Sequence, residues 1–575
     1  MKNRTSFIAA LAAVSLASMA ALADSARRPM ALIIMWDGFR ADGIVNADLP
    51  NVRKLAFGEW QSGYSGAWSF AGKPLPDARA YSFANHASIL NGVTATKHGV
   101  WFNHTSHKCR VKEWPTCFTR ILDAKPKTKA AFLYACGHYD WDLCQDDRVY
   151  NKTYGVDVVK ECDDLAALYS SPDAPDVAAL FLEFPDAQGH AKGYYPMSAE
   201  YRGAIVTNDC AVGKVLSAIA ARPTFKDEDW LVMLTTDHGG YHRMHGWRDT
   251  HSHTIPVILA GRRVVNGPMA GFPCNYDLSV TVLEHFGVST EGLHLDGRVV
   301  GKEPSPWGPA ARIDESLAWY FPLKEKGKYL VNAVPGGAGI DPAGDEEYFN
   351  PNRPSGLFGG HCLYVGGDED VVCAESLSGS EGMFMALRPS FTISFWARMT
   401  RLEGDPVVMG NKTLAREGSP GFAVVQGRHT ERTSNGVCLV YGTPEGGDVL
   451  VGTMDIEVNE WSFYAVVFTP DGQAWLYQGR KDGSFHWICG DARRALLASG
   501  LPLFIGQDGT GAWKWNYKGY LDDIAVWRRP LAISELRAVF VAGRSGKRVA
   551  DVAGMRVPNS APRDYIDTTL KGGQK

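Results

Sequence analysis

Short apolar runs alternate with longer amphipathic segments between Met30 and about Gly301, a pattern that predicts buried strands feeding helices. Five segments are the candidate strands: ALIIMWD (31–37), KAAFLYAC (129–136), VAALFLEF (177–184), WLVMLTTD (230–237) and TIPVILAG (254–261). Amphipathic spacing predicts helices over Ala199–Ala221 and Asp277–Phe286. We therefore expect a layered α/β domain, taken as residues 24–301, with its chemistry at the carboxyl ends of the strands.

The pattern changes after KEPSPWGP (302–309), whose three prolines predict a linker, taken as residues 302–311. Beyond it, aromatic and β-branched residues alternate between Gly and Asp turns, as in SFTISFWARM, WSFYAVVFT and LDDIAVW. This alternation predicts an all-β jelly-roll sandwich over residues 312–545. The last residues, 546–575, become polar and predict a flexible tail.

The N-terminus has the three parts of a secretory signal peptide. A basic start (MKNR) precedes an apolar stretch from Ser6 to Ala20 and the small-residue triplet Ala21, Leu22, Ala23. We expect cleavage after residue 23 and a periplasmic, secreted or cell-surface product, with an uncleaved anchor as the alternative. We expect no transmembrane segment after this signal.

The net charge limits which binding partners we expect, and the cysteine content bears on the redox state of the compartment. A formal net charge of -4 gives no electrostatic case for bulk nucleic acid as a partner. All 11 cysteines follow the signal, which in an oxidising compartment favours disulfides and leaves one thiol unpaired. The connectivity is open, and the closely spaced candidate pairs are Cys109/Cys117, Cys136/Cys144 and Cys362/Cys373.

Short motifs in the first half hold groups that bind hard or borderline metals, most of them at the ends of predicted strands. Three Asp and three His residues supply the mixed oxygen and nitrogen donors that two adjacent zinc-type ions need, with positions left open for substrate. Ser82 in SFANH is the candidate nucleophile. The metal-binding candidates are Asp37 in IIMWDGF, Asp186 and His190 in FPDAQGH, Asp237 and His238 in TTDHGG, and His245 in MHGWRDTHSH.

The order of these motifs resembles the alkaline phosphatase superfamily, and in detail its type I phosphodiesterase/nucleotide pyrophosphatase branch. The nucleophile motif of that branch reads TFPNH where this chain has SFANH, and its phosphate-binding Asn lies 21 positions after the nucleophile in an HGxxxN motif. Here HGVWFN ends at Asn103, which is 21 positions after Ser82. The resemblance covers residues 30 to about 290.

The resemblance implies two divalent metal ions, with zinc expected. One would be held by Asp186, His190 and His245, and the other by the Ser82 oxygen together with Asp37, Asp237 and His238. The last ligand of the first ion has an alternative, His253, which lies near His245 and precedes the next predicted strand.

The resemblance also implies a chemistry for Ser82. Its hydroxyl would attack phosphorus and form a phosphoseryl intermediate, while Asn103 and backbone amides at the following helix start bind a non-bridging oxygen. The sulfatase signature is absent, because Ser82 is followed by Phe-Ala-Asn-His rather than by xPxR. Our leading prediction is an exported phosphodiesterase that acts on nucleotide-like or lipid- or glycan-linked phosphodiesters.

Two other functions stay open. A phosphomonoesterase or phosphonate hydrolase would use the same residues, since Ser82 stands where Thr is usual in the branch. A glycan-binding surface protein with a degenerate hydrolase domain would retain fewer of the candidate ligands.

The second half resembles laminin-G or concanavalin A-like domains. The segments NEWSFYAVVFTPDGQAWLYQG and GYLDDIAVWRRPLAISELRAVF carry this resemblance. It implies a glycan ligand and, in some members, calcium, for which Asp522 and Asp523 are candidates. The alternative is that this half packs on the catalytic domain or mediates assembly.

Overall fold

The structure is a computed structural model that describes residues 27–76, 78–246, 249–304, 312–323, 332–334, 349–366, 372–373, 390–402, 404–427, 436–490, 494–501, 503–511 and 513–557. The predicted signal peptide and most of the predicted linker and tail lie outside the described residues. Those three assignments therefore stay predictions.

The strands of the first domain form one mixed sheet that is parallel at its centre. In chain order they are β1 (Arg28–Trp36), β2 (Ser65–Gly72), β3 (Ala130–Tyr134), β4 (Val149–Thr153), β5 (Val177–Leu182), β6 (Glu228–Thr235), β7 (Ile255–Gly261) and β8 (Gly267–Pro268). Their order in the sheet is β4-β3-β5-β1-β6-β7-β2-β8. Strand β1 is parallel to both β5 and β6, so the carboxyl ends of these three strands meet at one edge.

Helices cover both faces of this sheet. They are α1 (Gly43–Asn46), α2 (Pro50–Ala56), α3 (Ser82–Asn91), α4 (Ala95–His98), α5 (Cys117–Ala124), α6 (His138–Trp141), α7 (Val158–Tyr169), α8 (Phe184–Lys192), α9 (Ala199–Ala220) and α10 (Asp277–His285), with 3-10 turns at Asn103–Lys108 and Phe225–Asp227. Alternate residues of β1 enter two different cores, Leu32 and Ile34 on one face and Ile33 and Met35 on the other.

The second domain is a sandwich of two antiparallel sheets. Its strands are β9 (Leu317–Phe321), β10 (Phe349–Pro354), β11 (His361–Val365), β12 (Val372–Cys373), β13 (Phe391–Met399), β14 (Val407–Gly410), β15 (Phe422–Gln426), β16 (Gly436–Gly442), β17 (Asp448–Asp455), β18 (Ser462–Phe468), β19 (Ala474–Gly479), β20 (Phe485–Cys489), β21 (Phe504–Ile505) and β22 (Gly519–Trp527). One sheet runs β10-β11-β22-β13-β18-β19-β20, with β9 also paired to β22, and the other runs β12-β21-β14-β15-β16-β17. Helices α11 (Ile533–Arg544) and α12 (Val549–Val552) follow.

The edge strand β20 lies against the first domain. The side-chain amide of Asn46 pairs with the backbone of Phe485, donating to its carbonyl at 2.9 Å and accepting from its N–H at 3.0 Å. Trp487 donates its indole N–H to the carbonyl of Phe70 at 3.0 Å. Because an uncovered strand edge invites pairing with other chains, the first domain here serves as the cover for this edge.

The other sheet ends in β17, and this strand also contacts the first domain. The backbone N–H of Gly452 donates to the Thr250 hydroxyl at 2.8 Å, and His251 Nε2 lies 2.7 Å from the Thr453 carbonyl. Tyr241 donates a short hydrogen bond to Asp455. The loop between β6 and β7 is therefore held by the sandwich, which agrees with the alternative that the second half packs on the catalytic domain.

Residues 546–557 do not behave as the predicted flexible tail. Arg548 Nη1 lies 2.6 Å from Asp522 Oδ1, and the N–H of Val549 donates to Asp523 Oδ2 at 3.0 Å. Tyr320 donates to the second oxygen of Asp523 at 2.7 Å. The described first part of the predicted tail is therefore held by buried contacts, while the tail assignment as a whole stays a prediction, and the candidate calcium ligands Asp522 and Asp523 already have protein partners.

The helix α9 is long and apolar enough to span a membrane by length and composition, the one such helix within the described ranges. Half of its most apolar window is buried inside the protein. Asp209 on this helix accepts hydrogen bonds from the backbone of Val52 and Asn51. These contacts are those of a helix packed in a globular domain.

Two of the predicted disulfide pairs are not bonded. Cys109, Cys117, Cys136 and Cys144 are thiols in this structure. Burial raises the pKa of Cys109 to about 12 and that of Cys117 to about 11, so both thiols are protonated at neutral pH. The third pair includes Cys373, whose side chain is outside the described part of the chain.

Candidate metal centre

The candidate ligands come together where the central strands end. Asp37 directly follows β1, and its N–H donates to the carbonyl of Leu182 at the end of β5 at 2.8 Å. The next N–H, that of Gly38, donates to Asp237 Oδ1 at 3.1 Å, beyond the end of β6. The parallel register of β5, β1 and β6 thus brings three segments far apart in sequence to one point.

An inner cluster lies deepest and consists of Asp37, His86, Asp237 and His238, all buried. His86 Nε2 is 3.4 Å from Asp37 Oδ2 and 3.5 Å from Asp237 Oδ2. His238 Nε2 is 3.4 Å from Asp37 Oδ1 and 3.1 Å from Asp237 Oδ2. Two imidazole nitrogens and two carboxylates therefore point at one small volume.

An outer cluster consists of Asp186, His190 and His245. His190 Nε2 lies 3.5 Å from Asp186 Oδ2 and 3.1 Å from His245 Nε2. His245 Nε2 is 3.9 Å from Asp186 Oδ1, and its ring stacks on that of His238 with centroids 3.6 Å apart. This stacking joins the outer cluster to the inner one.

The donor set fits divalent metal ions. Among the described residues, Asp37 Oδ1, Asp237 Oδ2 and His86 Nε2 are buried without a hydrogen-bond partner. Buried polar atoms are normally paired, so three such atoms at one point fit the coordination of a cation. Burial, reinforced by Asp237 and Asp186, raises the pKa of Asp37 well above its usual value. Such crowding of carboxylates is relieved by cations.

The histidine tautomers also suit metal binding. His190 Nδ1 lies 3.0 Å from the Arg243 carbonyl and His245 Nδ1 lies 2.9 Å from the Ala80 carbonyl, so each ring directs Nε2 into the outer cluster. Burial and the neighbouring His238 lower the pKa of His245 to about 4, which keeps its ring neutral and its Nε2 lone pair available.

Ser82 lies at the edge of the inner cluster. It is the first residue of α3, and its Oγ is 3.2 Å from His238 Nε2. Asn103 Oδ1 accepts from the N–H of Phe83 at 3.4 Å, which brings the predicted phosphate-binding amide beside the predicted nucleophile. The start of α3 leaves backbone N–H groups directed at the same place, as an anion site requires.

His86 and Tyr194 are two site residues whose roles the motifs did not reveal. His86 Nδ1 lies 2.8 Å from Asp140 Oδ1, an arrangement that fixes the ring and aims Nε2 at the inner cluster. Burial lowers the pKa of His86, but the surrounding carboxylates outweigh it and raise that pKa well above the usual value. Tyr194 donates a short hydrogen bond to Asp186 Oδ1. The spacing of His86, four residues after Ser82 on one helix, was an available signal.

His245 and His253, the two alternatives for the last ligand of the first ion, lie in different places in the structure. His245 is in the outer cluster, whereas His253 lines a space that we call the interdomain cleft, defined by Lys73, Arg79, Trp101, His253 and Arg494. Within the described part of the second domain there is no group of three candidate metal ligands.

The first domain has an alkaline-phosphatase-like α/β fold, and the second matches a concanavalin A-like sandwich. Residues 31–243 match the family model of type I phosphodiesterase/nucleotide pyrophosphatase, and residues 376–537 match that of the concanavalin A-like lectin/glucanases superfamily. Both resemblances expected from the sequence are confirmed. The catalytic domain is that of a phosphoester hydrolase.

The solved structures to which this chain is similar include the following three. Murine ectonucleotide pyrophosphatase/phosphodiesterase 5, in an inactive form with AMP, is 13% identical over 45% of this chain and 96% of its own, with a TM-score of 0.36. A 2-O GAG sulfatase is 13% identical over 49% and 77%, at 0.38, and the phosphonate monoester hydrolase of Agrobacterium radiobacter is 15% identical over 49% and 79%, at 0.36. No curated protein matches the sequence.

Proposed function

We propose that the protein is an exported phosphodiesterase that uses two divalent metal ions, zinc by the nature of the donors, and Ser82 as its nucleophile. The observation that carries this proposal is the position of the Ser82 hydroxyl beside His238, next to Asp37 and Asp237, each of which has one buried oxygen without a hydrogen-bond partner. A hydroxyl in that position is poised to be activated, since its ordinary pKa makes it a weak nucleophile.

Two divalent ions would neutralise the carboxylates and lower the pKa of the serine hydroxyl and of a water molecule. Asp37, Asp237 and His238 would hold one ion with Ser82, and Asp186, His190 and His245 the other, while His86 is positioned as a further donor to the inner cluster. Burial of the inner ligands excludes competing water from that side.

The reaction then follows from the placement of the protein groups. Ser82 attacks phosphorus in line, the leaving alkoxide departs, and a phosphoseryl diester remains. Asn103 and the backbone N–H groups at the start of α3 bind a non-bridging oxygen throughout. A water molecule attacks from the side that the leaving group vacated, so two displacements give net retention at phosphorus.

Export and domain limits belong to the same proposal. A signal peptide over residues 1–23 would direct the chain to the periplasm, the medium or the cell surface. We assign residues 24–301 to catalysis, 302–311 to a linker and 312–545 to the sandwich. A glycan ligand for the sandwich is consistent with its family but is part of the proposal.

A comparison of substrates tests the function. Initial rates on bis-p-nitrophenyl phosphate, p-nitrophenyl thymidine 5′-phosphate, p-nitrophenyl phosphate and nitrophenyl sulfate should rank the two diesters first. Ser82→Ala should lower diester turnover by at least about 10³-fold, whereas Ser82→Thr, which keeps a hydroxyl, should stay within about tenfold. A strong monoester preference would point to the phosphomonoesterase, and full activity in Ser82→Ala would overturn the nucleophile.

A further inference from the structure

We propose that the interdomain cleft binds one ester arm of the substrate and selects an arm that carries a second anionic group. This inference rests on the proposed function, because it extends the same catalytic site. It assigns to the second domain a direct part in substrate recognition, through Arg494.

The cleft has the size of a ligand site. Its volume is about 590 Å³, within the range that holds a nucleotide or a disaccharide. The first domain contributes residues 73, 75, 76, 78 and 79, the pair Trp101 and Phe102, and Asp249, Thr250 and His253. The second domain contributes Asp448 to Leu450 on β17, the end of β20, and Arg494.

The cleft opens beside the candidate nucleophile. Arg79 on its wall is three residues before Ser82, and the ring of Tyr81, between them, packs on that of Phe102 with centroids 5.5 Å apart. The residue after Phe102 is Asn103, whose amide oxygen accepts from the N–H of Phe83. A phosphodiester whose phosphoryl group lies between Ser82 and Asn103 therefore has the cleft within reach of one ester arm.

The charges of the described lining residues favour an anion. Four of these residues are basic, namely Arg494, Arg79, Lys73 and His253, and two are acidic, namely Asp448 and Asp249. Asp448 lies 2.7 Å from the Lys412 ammonium and also accepts from the N–H of Gly418.

The other acid, Asp249, accepts from both the N–H and the hydroxyl of Ser252, at 2.8 and 2.7 Å. Asp448 is thus neutralised by Lys412, so the basic groups among the described lining residues outweigh the acidic ones.

The aromatic pair supplies a surface for a ring. Trp101 and Phe102 are 39% and 45% exposed, unusual values for such large apolar side chains on a cleft wall. An exposed tryptophan face stacks on planar bases or on the apolar face of a sugar. A ring-bearing arm with an added phosphate, sulfate or carboxylate satisfies both the aromatic and the basic part of the lining.

A matched pair of substrates tests the proposal. One is p-nitrophenyl thymidine 5′-phosphate, and the other is the same diester with a 3′-phosphate. For the full-length protein we expect kcat/KM to be about tenfold higher for the 3′-phosphorylated diester, as one charge-assisted contact gives. Arg494→Glu should remove this preference, so that the ratio of the two kcat/KM values falls to about one.

Arg416→Glu is the control, since Arg416 is an exposed arginine of the same domain that does not line the cleft. It makes the same charge change and should keep the preference. Equal rates of the wild type on both diesters would overturn the cleft assignment, as would equal preferences in Arg494→Glu and Arg416→Glu.

If the wild type hydrolysed neither diester, the proposed function would fail, and binding would then test the cleft alone. Titration calorimetry of thymidine 3′,5′-bisphosphate should show at least about fivefold weaker binding to Arg494→Glu than to Arg416→Glu. Equal affinities would reject the cleft as an anion site.

Discussion

The inner and outer clusters of the metal centre use similar side chains in different surroundings. Every member of the inner cluster is buried, and its histidine His86 is held from behind by Asp140. In the outer cluster, Asp186 and His245 are buried, whereas the His190 side chain is 43% exposed and its Nδ1 lies 3.0 Å from the Arg243 carbonyl.

We expect the difference in burial between the two clusters to suit them to two different tasks. A buried, hydrogen-bonded cluster holds its donors in place before substrate arrives, which is what activation of Ser82 requires. An open cluster admits water and substrate and lets a metal ion exchange with solvent. Loss of an inner ligand should therefore be harder to compensate than loss of an outer one.

The largest effect should come from Asp237→Asn. We expect kcat/KM for a diester to fall by at least about 10³-fold, because the variant removes one of the two carboxylates that would hold the inner metal ion. Metal content by elemental analysis should fall with it, and added zinc should not restore activity. Asp227→Asn, an exposed aspartate on a short turn, is the control. Loss of metal without loss of turnover would refute the dinuclear mechanism.

His190→Ala should cost less, about 10²-fold, and should be partly reversible. Because the site of this ring is open to solvent, excess zinc or imidazole in the assay should recover part of the rate. The measurement is kcat/KM against zinc and imidazole concentration. An irreversible loss as deep as that of Asp237→Asn would remove the distinction between the clusters.

His86→Asn should lower kcat/KM by about 10- to 100-fold, the usual range for a group that orients or supplements the metal ligands. Asp140→Asn should act through the same ring, so the double variant should be little worse than either single one. Additive losses, measured by steady-state kinetics of all three proteins, would show that Asp140 does not act through His86.

Asp42→Asn should have the smallest effect on activity and a measurable one on stability. Asp42 Oδ2 lies 2.6 Å from Arg40 Nη2 and 2.7 Å from His486 Nδ1, and it links the segment after Asp37 to β20. Burial opposes its charge, but Arg40 and His486 outweigh burial and hold its pKa well below the usual range. We expect the free energy of unfolding to fall by about 3 kcal/mol at pH 7.

The pH dependence of the stability difference between wild type and Asp42→Asn serves as the control for this prediction. A lowered carboxyl pKa stabilises the folded state fully above the unfolded pKa of about 4, and that contribution is lost as pH falls through the folded value. The stability difference between wild type and Asp42→Asn should therefore be constant from pH 5 to 7 and shrink below about pH 4. Chemical denaturation across this range measures it, and a difference that grew on acidification would contradict the assignment.

The local pattern of apolar residues predicted the strands that are buried on both faces. The five apolar runs became β1, β3, β5, β6 and β7, because a strand buried on both faces must be apolar throughout. Strand β4, VYNKT, was not predicted, since an edge strand with exposed side chains has no such run. Strand β2, SGAWSFAG, escaped notice because its Gly and Ser residues read as a turn.

The features of the candidate site also divide into those that the sequence predicted and those that it did not. Motif order and the 21-residue interval suggested the candidate ligands, Ser82 and Asn103, and the structure brings them together. Contacts that depend on three-dimensional packing had no local signal. Asp140 behind His86, Tyr194 on Asp186, and the sandwich strands against the loop of His245 are of this kind.

The contact between Asp42 and His486 joins residues 444 positions apart. A ribosome that has completed the whole sheet of the first domain has therefore not yet made His486, the second partner of Asp42. Since domains tend to fold as they emerge, the first domain would pass through a stage in which this buried carboxylate has only Arg40 as its partner. We therefore expect the first domain to gain its full stability only after β20, which carries His486, has been synthesised.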